Sequence, residues 1–202
     1  MSDSHGEHSQ DIAWASLTTP LSTEDLNQFC QDIERLFRIN PYLEFNQWQA
    51  VSDRRYRFSG RNLSQEQPFE FDYELTVHPS DKGLRIDYNS GIKSNTEIKI
   101  EPEGQGSKLT ITDRYERLPE NEREAYLHEV DKSLVAWANY MRTYLTSWRR
   151  WSWFGPWRWY MRRIWQPMKP TARRITYVLL WITVFEIALI ALGVAIYFIE
   201  YR

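Results

Sequence analysis

Asn62, Thr96 and Asp113 fall on the side of their segments that otherwise carries apolar residues. In "PFEFDYELTVHP", Phe69, Phe71, Tyr73, Leu75 and Val77 alternate with Glu70, Asp72, Glu74, Thr76 and His78, the period of a half-buried strand. The same parity groups Tyr56, Phe58 and Asn62; Leu84, Ile86 and Tyr88; Ser94, Thr96, Ile98 and Ile100; and Leu109, Ile111, Asp113 and Tyr115. An amide, a hydroxyl, a carboxylate and several phenols would then look into a wall of aromatic rings. That chemistry suits recognition of a ring-bearing or lipid-like ligand through a few hydrogen bonds. The candidate cavity residues are Tyr56, Phe58, Asn62, Phe71, Tyr73, Tyr88, Thr96, Asp113 and Trp137. The competing expectation is that the aromatics simply fill a core and no ligand enters.

Other chemistries find little support. There is no CxxC, HExxH or glycine-rich phosphate loop. His78 and His128 are isolated, His5 and His8 sit in a polar leader, and Cys30 is the single cysteine. No metal, no cofactor and no catalytic constellation are expected, and no pair of carboxylates stands out for acid–base work.

The elements that must position these residues follow from the pattern. "DIAWASLT" reads as a first strand. "TPLSTEDLNQFCQDIERLF" reads as a helical region capped by Ser22 or Thr23, with Leu26, Phe29, Cys30, Ile33 and Phe37 on its apolar side. Asn40 before Pro41 ends it. Six short strands follow as a meander from "YLEFNQW" to "SKLTITDRYERL". A long helix is expected from Pro119, with Glu120, Glu122 and Glu124 in its first turns. Leu127, Val130, Leu134, Trp137, Met141, Tyr144 and Trp148 form its stripe.

This order, with "TTPLSTEDLNQFCQDIERLFRINPYLEFNQW" near its start, resembles the helix-grip fold of START-like (SRPBCC) proteins, the superfamily of polyketide cyclases and coenzyme-Q-binding proteins. The resemblance spans residues 11–150. It implies an α+β domain in which a curved antiparallel sheet grips the long helix around an apolar cavity. It implies neither a particular ligand nor an activity.

Beyond the domain the composition changes. Residues 1–147 carry 16 Lys/Arg against 25 Asp/Glu, whereas residues 148–202 carry 9 against 2. An acidic body argues against nucleic acid as a partner. "SWRRWSWFGPWRWYMRRIWQP", residues 147–167, holds six tryptophans and five arginines with no acidic residue. Pro156 can start a short helix that Pro167 ends. On it Trp157, Tyr160, Met161, Ile164 and Trp165 share one side and Arg162, Arg163 and Gln166 the other, with Trp159 out of place. The expectation is a helix lying in the membrane interface, where Trp and Tyr favour the boundary and arginines meet anionic head groups. Its contact residues would be Trp151, Trp153, Trp157, Arg158, Tyr160, Arg162, Arg163, Ile164 and Trp165.

Ile175 to Ile199 is 25 residues with one charge, Glu186, close to the middle. That length is enough to cross a bilayer as a helix. Eight basic residues precede it, between Trp148 and Arg174. The positive-inside rule then puts the N-terminal domain in the cytoplasm, under a bacterial inner membrane. The expected organisation is a disordered leader (1–10), a START-like domain (11–150), a juxtamembrane segment (151–174), a single tail-anchoring span (175–199) and a short tail (200–202). Two functions suit it. The first is a non-enzymatic accessory subunit that docks on an integral membrane complex, with Glu186 contacting a partner inside the bilayer. The second is a module binding a lipid, a quinone or another hydrophobic ligand at the membrane surface. A cyclase-like enzyme is a third.

Overall fold

Alternation along residues 55–114 obliges each strand to bury one face, and all of them bury the same one. The computed structural model describes residues 12–117 and 132–201. The expected leader, with His5 and His8, lies outside these residues. So do the expected helix start at Pro119, with Glu120, Glu122 and Glu124, the stripe positions Leu127 and Val130, and His128.

The strands are β1 (Ile12–Thr19), β2 (Leu43–Ser52), β3 (Arg55–Asn62), β4 (Phe69–Ser80), β5 (Gly83–Tyr88), β6 (Asn95–Glu103) and β7 (Gly106–Arg114). They form one antiparallel sheet in the order β1-β7-β6-β5-β4-β3-β2. The expected meander is therefore present, and the first strand in sequence closes it by pairing with the last, Ile12 opposite Arg114. Phe58, Phe71, Leu75, Val77, Ile86, Ile98, Leu109 and Ile111 are buried on the inner face. The outer face is a charged ladder, with Arg57–Asp72 at 2.9 Å and His78–Asp87 at 3.1 Å. Such exposed pairs contribute solubility more than stability.

Between β1 and β2 lie two helices, α1 (Thr23–Cys30) and α2 (Ile33–Arg38). The helical spacing of Leu26, Phe29, Cys30, Ile33 and Phe37 runs straight across the break between them. The cause is Asp32, whose carboxylate accepts the Arg35 backbone N–H at 3.2 Å and caps a new helix. Of the two expected caps for α1, Ser22 acts, accepting the Asp25 N–H at 3.1 Å. Asn40 is buried, accepts the Tyr42 N–H at 3.0 Å and donates to Ser133 Oγ at 2.6 Å.

The long helix is described from Leu134 to Trp151 (α3). Leu134, Trp137, Ala138, Met141, Tyr144 and Leu145 are buried in the same core as the sheet and α1 and α2. Trp137 is 3 % exposed and donates its indole N–H to the Leu36 carbonyl at 2.9 Å. After α3 come α4 (Gly155–Tyr160) and one π-helical turn, Met161–Trp165.

The chain divides into two compact units, 1–167 and 168–202. The second contains α5, Pro170–Glu200, a 31-residue helix long and apolar enough to be a candidate membrane span. It begins earlier than the apolar run, because Pro170 suits a first helical turn and Arg173 and Arg174 are good helix formers. At 1.5 Å per residue it is about 46 Å long. Within it Thr183 donates its hydroxyl to the Leu179 carbonyl at 3.0 Å, which satisfies that polar group inside the helix itself.

Candidate functional site

The inner faces of β3, β4 and β5 curve around a small cavity of about 30 Å³, room for about two water molecules. Phe37, Phe58, Phe71, Tyr73 and Tyr88 wall it, Leu43 and Ile92 close it, and Asn62, Lys93 and Tyr115 bring polar atoms to it. The rings interlock: Phe71 and Tyr73 stack with centroids 5.2 Å apart, and Tyr73 meets Tyr88 edge-on at 5.7 Å.

Behind Tyr88 lies a chain of polar groups. Lys93 Nζ donates to Asp113 Oδ2 at 2.6 Å, with the two side chains 11 % and 1 % exposed. Thr96 gives its only hydroxyl proton to Asp113 Oδ1 at 2.5 Å. The Tyr88–Thr96 hydrogen bond of 3.1 Å must therefore take its proton from Tyr88. Burial pushes the Tyr88 phenol well above its ordinary pKa, the nearby Lys93 charge only partly opposing this, so the phenol stays protonated. The order of donation is Tyr88 to Thr96 to Asp113, with Lys93 donating from the other side. Lys93 also lies 5.6 Å from the Tyr88 ring centre and 5.9 Å from that of Tyr115.

The structure thus brings Phe58, Asn62, Phe71, Tyr73 and Tyr88 to one cavity, with Thr96 and Asp113 one layer behind. Tyr56 and Trp137 do not line it. Tyr56 is half-buried beside Trp48, at 6.0 Å, and Trp137 packs on Phe37 at 5.5 Å. Sequence reasoning missed Lys93. Alternation counted back from Thr96 and Ser94 turns Ile92 inward and Lys93 outward, but residues 89–94 form a turn and escape the period. The signal was Asp113 itself, since a carboxylate on an inner face calls for a cation. Gly91 shapes that turn. Its φ is +81°, and a Cβ there would stand 2.6 Å from the Tyr73 ring, so glycine seats Ile92 and Lys93 against the cavity.

Two helices sit between β1 and β2, a long helix follows β7, and all three cover one face of a seven-stranded meander closed by β1. That connectivity decides the fold. This is the START-like helix-grip fold.

Solved structures of similar architecture include a START superfamily protein from Mycobacterium smegmatis, at 14% identity and TM-score 0.47, covering 68% of this chain and 98% of that one. A norcoclaurine synthase from Thalictrum matches at 14% and 0.49, covering 68% and 95%. A STAR-related lipid transfer protein from Xanthomonas axonopodis matches at 10% and 0.44, covering 66% and 85%. No family model and no curated protein matches the sequence.

At the far end of α3, the START-like domain holds a second group that the sequence reading passed over. Arg35 is 5 % exposed, and its Nε donates to the Tyr144 hydroxyl at 2.9 Å. Its guanidinium lies 4.0 Å from the Trp148 ring centre and 4.8 Å from that of Phe29. The cation is thus held by aromatic faces, with no carboxylate paired to it among the described residues. The segment after α3 docks on the same place: Trp157 packs on Trp148 at 5.5 Å, Trp165 on Tyr144 at 5.6 Å, and Met161 is buried. Trp157, Tyr160, Met161 and Trp165, expected from the sequence to face lipid with Ile164, are turned largely toward the domain's own core. A helical wheel identifies an apolar side but not what covers it. Trp151, Trp153 and Trp159 remain outside, as do Arg158, Arg162 and Arg163. Cys30 is fully buried, and burial pushes its thiol up to about 12, so it is protonated and unreactive at neutral pH.

Proposed function

We propose that this protein is a membrane-anchored binding module whose START-like domain holds the polar head of a lipophilic ligand, a lipid or a quinone. The observation that carries this reading is the Lys93–Asp113–Thr96–Tyr88 chain beside an aromatic cavity. A buried ion pair is poor evidence of stabilisation, because apolar residues of equal volume serve a core as well or better. Placed at a cavity, it offers charge and hydrogen bonds to a ligand oxygen. Asn62 adds to this: its carbonyl is taken by the Ser64 N–H at 2.9 Å, which leaves the amide N–H groups as donors at the wall. At about 30 Å³ the cavity is far below the roughly 300–1,000 Å³ of ligand pockets. A drug-sized ligand would therefore enter only with the walls of the cavity displaced.

The test is purification of the full chain from native membranes in mild detergent, followed by solvent extraction and mass spectrometry. Wild type is expected to carry a lipophilic compound in near-stoichiometric amount, and a variant with Ile92→Trp, which fills the cavity, is expected to lose it. Folded wild-type protein that yields only the bulk lipid profile of the membrane sinks the reading.

The finer expectation of an accessory subunit is favoured by one observation, Glu186. It is the only charged residue between Ile175 and Ile199, and a carboxylate at that depth costs roughly 2.5–3.5 kcal/mol or more unless it meets protein or water. In this second reading Glu186 contacts a donor on another membrane subunit. Glu186→Leu should then strip partners that co-purify with wild type, and an identical set of partners from both forms rules it out. The charge asymmetry around α5 supports a cytoplasmic location for the domain in either reading.

A further inference from the structure

Trp151, Trp153, Phe154 and Trp159 are 43, 75, 45 and 60 % exposed. Four exposed aromatics within nine residues, with Trp153 and Phe154 in ring contact at 5.8 Å, mark an interaction surface rather than ordinary exposure. Arg149, Arg150, Arg158, Arg162 and Arg163 accompany them, and no acidic residue occurs between Trp148 and Arg174. Because the neighbouring Trp165 and Trp157 pack on Tyr144 and Trp148, and Met161 is buried in the core, the exposed rings are carried by the domain rather than by a loose linker.

We propose that this face is a second lipid contact of the protein, made by the START-like domain with an anionic bilayer surface and separate from the apolar helix. Three features select lipid over a protein partner. The exposed rings are mostly tryptophan, an amphipathic ring that settles at the lipid–water boundary. The charge is of one sign, as an anionic surface requires. The chain also reaches the first turn of an apolar helix at Pro170, eleven residues after Trp159, so a bilayer would always be within its reach. The contact differs from the one the sequence suggests. Trp157, Tyr160 and Trp165 act as the fastening to the domain, and Trp151, Trp153, Phe154 and Trp159 as the lipid-facing set. It is independent of whether the cavity holds a ligand.

The experiment uses the full chain in vesicles, with Trp153→Cys and Trp159→Cys each labelled with an environment-sensitive fluorophore. Cys30 is buried and stays unlabelled in the folded protein. Ser16→Cys, exposed on the outer face of β1, serves as the reference. In mixed phosphatidylcholine–phosphatidylglycerol vesicles, a nitroxide on the lipid head group should quench the labels at 153 and 159 several-fold more than the label at 16. Aqueous iodide should do the reverse. Lipid quenching should weaken in pure phosphatidylcholine. Iodide quenching at 153 and 159 equal to that at 16 would falsify the contact. Protection from both quenchers would assign the face to a protein instead, and equal lipid quenching in the two vesicle types would overturn the preference for anionic lipid.

Discussion

Asp113→Ala is expected to cost the domain about 3–5 kcal/mol, because it removes the buried carboxylate to which both Lys93 Nζ and Thr96 donate. The loss extends down the chain, since Thr96 loses its acceptor and the Thr96 and Tyr88 hydroxyls are left with two protons for the one hydrogen bond between them. Replacing both members, Lys93→Met with Asp113→Leu, is expected to leave stability within about 1 kcal/mol of wild type or to raise it, because two apolar side chains fill the same space without desolvation. Urea unfolding of the three forms in the same detergent, followed by circular dichroism, measures the difference. A double variant as unstable as Asp113→Ala would mean that the pair is structural, and the functional reading of the cavity would lose its main support. The pair has that diagnostic value because Asp113 is the one buried carboxylate on the inner face among the described residues.

The second large effect belongs to Trp137. Trp137→Ala should cost about 3–5 kcal/mol, through the cavity left beside Phe37 and the orphaned Leu36 carbonyl. Trp137→Phe keeps most of the volume and isolates the hydrogen bond, so a loss of about 1–3 kcal/mol is expected. The same unfolding measurement applies. Equal losses for the two variants would show that the indole hydrogen bond, rather than packing, holds α3 to α2. Trp137 does not line the cavity itself, but it backs Phe37, which does.

The sheet was legible because alternation is a local signal, and each strand from Arg55 to Arg114 repeats it with one parity. The inward polar residues were legible for the same reason: Asn62, Thr96 and Asp113 are visible only as exceptions to an apolar face. Three features were not. Lys93 sits in a turn, where parity carries no information. The division at Gln31–Asp32 is invisible to periodicity, because Ile33 and Phe37 keep the spacing of Leu26 and Phe29 while a side-chain cap interrupts the backbone. The orientation of Trp157 and Trp165 depends on Tyr144 and Trp148, aromatic partners whose position only the folded helix defines. A π turn at Met161–Trp165 adds to this by shifting side chains around the axis relative to a regular wheel.

The pairing of β1 with β7 has a consequence in time. Ile12 cannot reach Arg114, nor Thr19 reach Ser107, until about a hundred residues of chain are available, whereas β2 through β7 join by short turns and can zip in order. On a ribosome adding about 5–20 residues per second, β1 and the helices after it would wait several seconds for their partner strand. During that interval one sheet edge and the apolar sides of α1 and α2 are uncovered. The apolar helix emerges later still, so the domain has the opportunity to close its sheet before the most hydrophobic part of the chain is made.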